Sequence, residues 1–225
     1  MGDDFVRRNK SIHIGLIPDG NRRYAKKMGK PVWHGHWEGA KRVEEFLNWC
    51  QEYPQIRNVT IFALSTENLS RSKKEVEELW KIYRYQLKSF LNNPRAGMKV
   101  RIHGNDSLWS PTIKDIAKEL VDSTKNYSKY MLNIMLAYGS KFEINEAIKK
   151  VVKKPISTID RFLMVREPLD LLIRTGKQHR LSNFMLYQAS YAEIYFSDSL
   201  WPEFTRKEFD GIMDWYFEQQ KKFGR

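Results

Sequence analysis

Apolar residues recur along this chain in two rhythms. Short, nearly continuous apolar runs alternate with longer stretches in which apolar positions return every three or four residues. The first rhythm belongs to strands buried on both faces, the second to amphipathic helices. Ile12 to Ile17, Val59 to Leu64, Lys99 to His103, Met131 to Ala137, Leu169 to Ile173 and Glu193 to Phe196 read as six strands. A helix from Trp37 to Gln51 groups Trp37, Ala40, Val43, Phe46, Leu47 and Cys50 on one face. Another from Lys74 to Leu91 groups Val76, Leu79, Trp80, Tyr83, Leu87 and Phe90. Ser110 before Pro111 is an N-cap with proline at the first helical position, and Ile113, Ile116, Ala117 and Leu120 follow as its stripe. Further helices are predicted over Phe142 to Val152, over Asn183 to Tyr191, and from Arg206 to about Lys221, the last opened by a capping box of Thr205 and Glu208. No repeat, low-complexity tract or flexible linker divides the pattern. The alternation predicts an α/β fold: a single domain spanning 1–225, with a mostly parallel six-stranded sheet flanked by helices.

In such folds ligands bind beyond the carboxyl ends of the strands. The loops there are chemically alike. Pro18-Asp19-Gly20-Asn21-Arg22-Arg23 follows the first strand, and Ser65-Thr66-Glu67-Asn68 with Arg71 follows the second. Tyr138-Gly139-Ser140-Lys141 follows the fourth, and Arg174-Thr175-Gly176 through Arg180-Leu181-Ser182-Asn183 the fifth. Any one of these loops is unremarked on its own; Asp19 alone reads as an Asx-turn. Together they collect guanidinium groups, hydroxyls and glycines on one sheet edge. Guanidinium forks match phosphate oxygens, and glycines let backbone N–H groups approach them. Asp19 among those cations is the place for a divalent metal bridging to phosphate.

Charge supports an anionic ligand. Lys and Arg number 39 against 27 Asp and Glu, a formal net charge of +12. The single cysteine, Cys50, excludes a disulfide framework or a multi-cysteine metal site. His13, inside an apolar strand, reads as a core histidine. No P-loop, dinucleotide fingerprint or G-x-S-x-G elbow is present. The charged residues 1–10 lack the apolar core of a secretory signal, and no run is long enough to span a bilayer, so a cytoplasmic protein is expected.

The segment His13 to Lys27 with Gly35-His36 resembles the opening signature of the cis-prenyltransferases, the undecaprenyl diphosphate synthase family. Ser65-Thr66-Glu67-Asn68 with Arg71 resembles its second motif, and Leu172 to Gly176 through Arg180 to Phe184 its third. Tyr191-Ala192-Glu193-Ile194-Tyr195-Phe196 with Leu200 to Phe204 resembles its C-terminal signature. The resemblance implies condensation of isopentenyl diphosphate with an allylic prenyl diphosphate to give a Z-polyprenyl diphosphate. It implies Mg²⁺ held by Asp19 and Glu193, and an allylic diphosphate lined by Gly20, Asn21, Arg23 and His36. Asn68 would assist proton removal, Ser65 and Arg71 would flank the condensation site, and Arg174, Arg180 and Ser182 would bind isopentenyl diphosphate. An apolar tunnel is expected behind, walled by Leu79, Trp80, Tyr83, Leu87 and the Met131 to Leu136 strand. A homodimer is implied as well, as is peripheral membrane contact through a greasy product and a basic surface.

Some positions depart from the bacterial pattern. Pro18 stands for Met, Arg22 for Gly, Tyr24 for Trp, Lys141 for Arg and Gln178 for Glu. Val32 occupies a position commonly filled by a diphosphate-binding Arg, a charge that Arg22 would supply. The ending Lys222-Phe223-Gly224 resembles the family's Arg-x-Gly. Val32 and Gln178 keep a second reading open, prenyl transfer to a non-isoprenoid acceptor such as glycerol. A non-catalytic partner subunit is disfavoured by the presence of Asp19, Arg174, Arg180 and Ser182. A nucleic-acid binder is disfavoured by the lack of a recognition motif or of aromatics interleaved with basic residues.

Overall fold

The computed structural model describes residues 11–153 and 158–219; residues 1–10 and the Lys222-Phe223-Gly224 ending lie outside them. The elements in chain order are β1 (Ile12–Ile17), α1 (Asn21–Lys27), α2 (Val32–Glu52), β2 (Ile56–Ser65), α3 (Lys73–Asn92), β3 (Met98–His103), α4 (Pro111–Thr124), β4 (Tyr130–Tyr138), α5 (Ser140–Val152), β5 (Leu171–Arg174), β6 (Glu193–Phe196) and α6 (Arg206–Glu218). Every strand pairing is parallel, in the order β3-β4-β2-β1-β5-β6. The order runs outward in both directions from the β1/β5 pair, which puts a ligand crevice at their carboxyl ends.

The strand pleat sorts β1 between two cores. Ile12, Ile14 and Leu16 join Phe46, Leu47, Leu79, Phe204 and Phe209 under the helices of one face. Ile17 joins Phe62, Tyr138, Leu172 and Phe184 on the other. Gly15 is required on that second face, because a Cβ there would lie 2.7 Å from the Leu169 side chain. His13, 4% exposed, is the core histidine expected. Its Nε2 is 2.7 Å from Thr60 Oγ1 and its Nδ1 3.0 Å from the Pro168 carbonyl, and burial pushes its pKa down to about 4.

The structure corrects several boundaries. The expected helix over Asn183 to Tyr191 is a chain of turns, because Ser182, Asn183 and Met185 take positive φ, which an α-helix cannot accommodate. α2 opens at Val32, directly after Pro31, five residues before the start of its apolar stripe. β2 is longer than its apolar run, and α6 ends at Glu218, where Gln219 turns extended. Helix α1 has only Ala25 buried, so it carries no stripe from which to read it.

Candidate active site

Asp19 leaves β1 as the anchor of the crevice. Its backbone carbonyl accepts from Thr175 Oγ1 at 2.8 Å and from the Trp201 amide at 3.0 Å. Its carboxylate takes Arg174 Nη2 at 2.8 Å on one oxygen and Arg23 Nη2 at 3.1 Å on the other. Arg174, 4% exposed, extends the network from β5 by donating to Ser182 Oγ at 2.7 Å and to the Arg180 carbonyl. Two glycines make this approach possible. Gly20 has φ +117 and Gly176 has φ +84. A Cβ on Gly176 would sit 2.4 Å from Arg23 Nη2 and 2.8 Å from the Asp19 carbonyl.

The loop after β2 forms the opposite wall. Ser65 and Asn68 close a reciprocal cap: Ser65 Oγ accepts the Asn68 amide at 3.1 Å, and Asn68 Oδ1 accepts the Ser65 amide at 3.3 Å. Arg71 Nη1 reaches Glu75 Oε1 at 3.0 Å. The same carboxylate oxygen meets Arg22 Nε at 3.5 Å and His36 Nε2 at 3.4 Å. Burial, with Arg71 and Arg22 nearby, lowers the His36 pKa to about 4 despite Glu75. Burial thus favours the neutral imidazole of His36.

Glu75 was missed from the sequence. The signal was there: it lies four residues before Leu79, on the apolar stripe of α3, where a carboxylate needs a reason. Arg180, expected to bind diphosphate, donates to Gln178 Oε1 at 2.5 Å. Where the family pattern has Glu, a neutral amide leaves the Arg180 charge uncancelled.

A cavity of about 990 Å³ joins these groups. Asp19, Gly20, Asn21, Arg22, Arg23, His36, Ser65, Asn68, Arg71, Arg174, Arg180 and Ser182 all line it, together with Val32, Gln178 and two cations not anticipated, Lys26 and Lys30. Its body runs between the sheet and helices α2 and α3, past Ala40, Val43, Ala63, Leu79, Ile82, Leu87, Phe90, Leu132, Ile134 and Leu136. Of the expected wall, Leu79, Tyr83 and Leu87 line the cavity. Trp80 does not: it packs against the main core. The polar groups of the wall are turned away, since Tyr83 donates its hydroxyl to the Ala63 carbonyl and Gln86 Nε2 donates to the Ala40 carbonyl at 2.8 Å.

Glu193 is the exception among the expected residues. It opens β6 opposite Leu171, three positions below Arg174, and is no part of the cavity. At ~3.3 Å per residue that is about 10 Å down the sheet from the carboxyl-end crevice. Within one chain Glu193 and Asp19 do not form a shared carboxylate pair. Among the described residues no group of three or more His, Cys, Asp and Glu side chains is placed to hold a metal.

A cationic mouth opening into an apolar channel at the switch point of a parallel sheet suits a diphosphate with a hydrocarbon tail. The undecaprenyl diphosphate synthase family model matches residues 17–224, and the chain belongs to that prenyltransferase family. It is 41% identical, over 95% of both chains, to the tritrans,polycis-undecaprenyl-diphosphate synthase (geranylgeranyl-diphosphate specific) of Pyrobaculum aerophilum. It is 36% identical, over 95% of both chains, to the isoprenyl transferase of Aquifex aeolicus. The structure of lavandulyl diphosphate synthase from Lavandula x intermedia in complex with dimethylallyl diphosphate superposes with a TM-score of 0.89 at 27% identity, covering 97% of this chain and 100% of that one. The activity is accordingly that of a cis-prenyl transferase. Among the described residues, no helix is long and apolar enough to cross a membrane.

Proposed function

We propose that the enzyme extends geranylgeranyl diphosphate with successive isopentenyl diphosphate units to a long Z-polyprenyl diphosphate of undecaprenyl size. The primer and product are those named for the Pyrobaculum relative. The observation that carries the reading is the cavity: Arg22, Arg23, Lys26, Lys30, Arg71, Arg174 and Arg180 line it at the loops, with a mainly apolar body behind.

In this reading Gly20, Asn21, Arg23 and His36 hold the allylic diphosphate, with Arg22 and Lys30 supplying charge where Val32 supplies none. Arg174, Arg180 and Ser182 hold the diphosphate of isopentenyl diphosphate. The allylic C–O bond breaks and diphosphate leaves. The double bond of isopentenyl diphosphate forms the new C–C bond, and a proton departs from that unit beside Ser65, Asn68 and Arg71. The cations stand where negative charge grows on the leaving group, the placement that lowers a barrier most.

The donor set fits Mg²⁺ in one specific form. Among the described residues Asp19 is the one carboxylate lining the cavity, and Mg²⁺ characteristically binds through one or two carboxylates together with substrate phosphates and water. When bound, the ion would neutralise the departing diphosphate. Asp19 is already paired with Arg23 and Arg174, so those guanidinium groups are the ones released to the substrates.

A homodimer fits the edge position of β6 and the exposed Leu186 and Tyr187 close to it in the chain. Peripheral contact with anionic membrane fits the +12 charge and the lipid product.

Incubation with labelled isopentenyl diphosphate and geranylgeranyl diphosphate tests the reading. A ladder of polyprenyl diphosphates is expected. A single prenyl adduct of glycerol without a ladder would replace it with acceptor prenylation.

A further inference from the structure

Asn183 sits where three of the site loops meet, and no role has been assigned to it above. Its backbone carbonyl accepts the Ser140 amide at 2.8 Å, and its side-chain Oδ1 accepts the Lys141 amide at 2.9 Å. Its Nδ2 donates to Glu67 Oε1 at 3.0 Å, across to the loop after β2. Gly139 permits this approach, because a Cβ there would lie 2.6 Å from Asn183 Nδ2. Asn183 itself takes φ +64, a left-handed conformation that asparagine and aspartate tolerate better than most residues.

The loops on each side carry residues of the proposed site. Ser182 precedes Asn183 and is bonded to Arg174. Glu67 lies inside the reciprocal cap of Ser65 and Asn68. Burial works against the Glu67 anion. Hydrogen bonds from its own backbone amide, Asn183, Ser65 and Thr66 outweigh it and hold the carboxyl below its usual range. One amide side chain thus ties the Arg174–Ser182 loop to the Ser65–Arg71 loop.

We propose that Asn183 is a positioning residue that sets the spacing between the isopentenyl diphosphate subsite and the Ser65–Arg71 loop at the condensation site. This rests on the assignment of that subsite and that loop given above. Each loop is built separately, Ser65–Arg71 by its own cap and Arg174–Ser182 by its ion pair to Asp19. The Asn183–Glu67 bond is the direct side-chain bridge between them. A drift of about 1 Å between the loops leaves isopentenyl diphosphate bound and carries its reacting carbon out of register with the condensation site. Loss of register on that scale costs up to about 100-fold in rate.

The test is a swap of the bonded pair. Asn183→Asp is isosteric and tolerates the left-handed backbone, but it sets two carboxylates against each other. We expect kcat to fall 10- to 100-fold with either substrate's KM within threefold of wild type. Glu67→Gln keeps the acceptor oxygen and should hold kcat within threefold. The double variant restores a donor–acceptor pair with the roles exchanged and should recover kcat to within about fivefold of wild type. Hydrogen–deuterium exchange read alongside should show faster exchange over 65–71 in Asn183→Asp, with protection regained in the double variant. Asn183→Asp with near-wild-type kcat, a loss confined to the KM for isopentenyl diphosphate, or a double variant no better than the single would each overturn the proposal. Absence of wild-type turnover would instead overturn the subsite assignment. The exchange comparison then decides by itself whether Asn183 couples the loops.

Discussion

Asp19→Asn separates the electrostatic role of Asp19 from its place in the fold. The substitution keeps the side-chain shape and one accepting oxygen, and removes the negative charge. Arg174 stands beside it, 4% exposed, while the Asp19 side chain is 31% exposed. Removing one partner of a fully buried ion pair costs about 3–5 kcal/mol. Here the carboxylate is partly solvated, and Arg174 keeps its bonds to Ser182 and the Arg180 carbonyl, so about 2 kcal/mol is the expected loss. For a chain of this size that corresponds to a fall in Tm of about 4–8 °C. The protein stays folded at 25 °C, because domain stabilities run to ~5–15 kcal/mol. Turnover should fall further than stability. Asp19 acts on the leaving group through the cation proposed above, and losing one such charge-stabilising interaction costs about 100- to 1000-fold in kcat, or ~2.7–4 kcal/mol at the transition state. Thermal melting and steady-state kinetics with isopentenyl and geranylgeranyl diphosphates measure both. A kcat within tenfold of wild type would refute the electrostatic role, and an unchanged Tm would refute the ion-pair reasoning.

Glu75→Gln should leave Arg22 and Arg71 without their shared counter-charge and weaken allylic substrate positioning. About a tenfold drop in kcat/KM for the primer is expected, and unchanged primer kinetics would contradict the hub. Arg180→Ala should raise the KM for isopentenyl diphosphate at least tenfold, since among the described residues its side chain is bonded to the neutral Gln178; an unchanged KM would remove it from that subsite. Ala63→Leu narrows the channel and should shorten the product ladder; mass spectrometry showing the wild-type distribution would place the growing chain elsewhere. His13, pushed down to about 4 by burial, stays neutral in the folded chain while the unfolded chain protonates near 6.5. Stability should therefore fall as pH drops from about 6.5 to 4, by up to ~3 kcal/mol from this residue. Melting across that range reads it, and a pH-independent Tm would rule it out.

The sheet was legible because β1, β2, β4 and β5 are apolar enough to announce burial, and the carboxyl-end rule then located the site loops. What escaped had physical reasons. α1 buries one alanine, so periodicity has nothing to register. The turns over 183–191 hold Phe184, Met185 and Ala189 in the second core, and that burial imitates a helical stripe. Glu193 matched a motif, but a motif fixes position along the chain and says nothing about which end of a strand faces the crevice. The pairing register decides that. Glu75 was visible only as a charge out of place on an apolar face, which becomes meaningful once α2 brings His36 and α1 brings Arg22 against it.

The bonding of the Tyr83 hydroxyl and the Gln86 amide to backbone carbonyls has a consequence for repeated cycles. With both donors spent on backbone, the lumen offers an advancing polyisoprene no sticking point along Ala40, Val43, Leu79 and Leu87. In the elongation proposed above, each added unit would slide forward mainly against dispersion forces. Product length would then be set at the far end of the passage, where the lipid runs out of room.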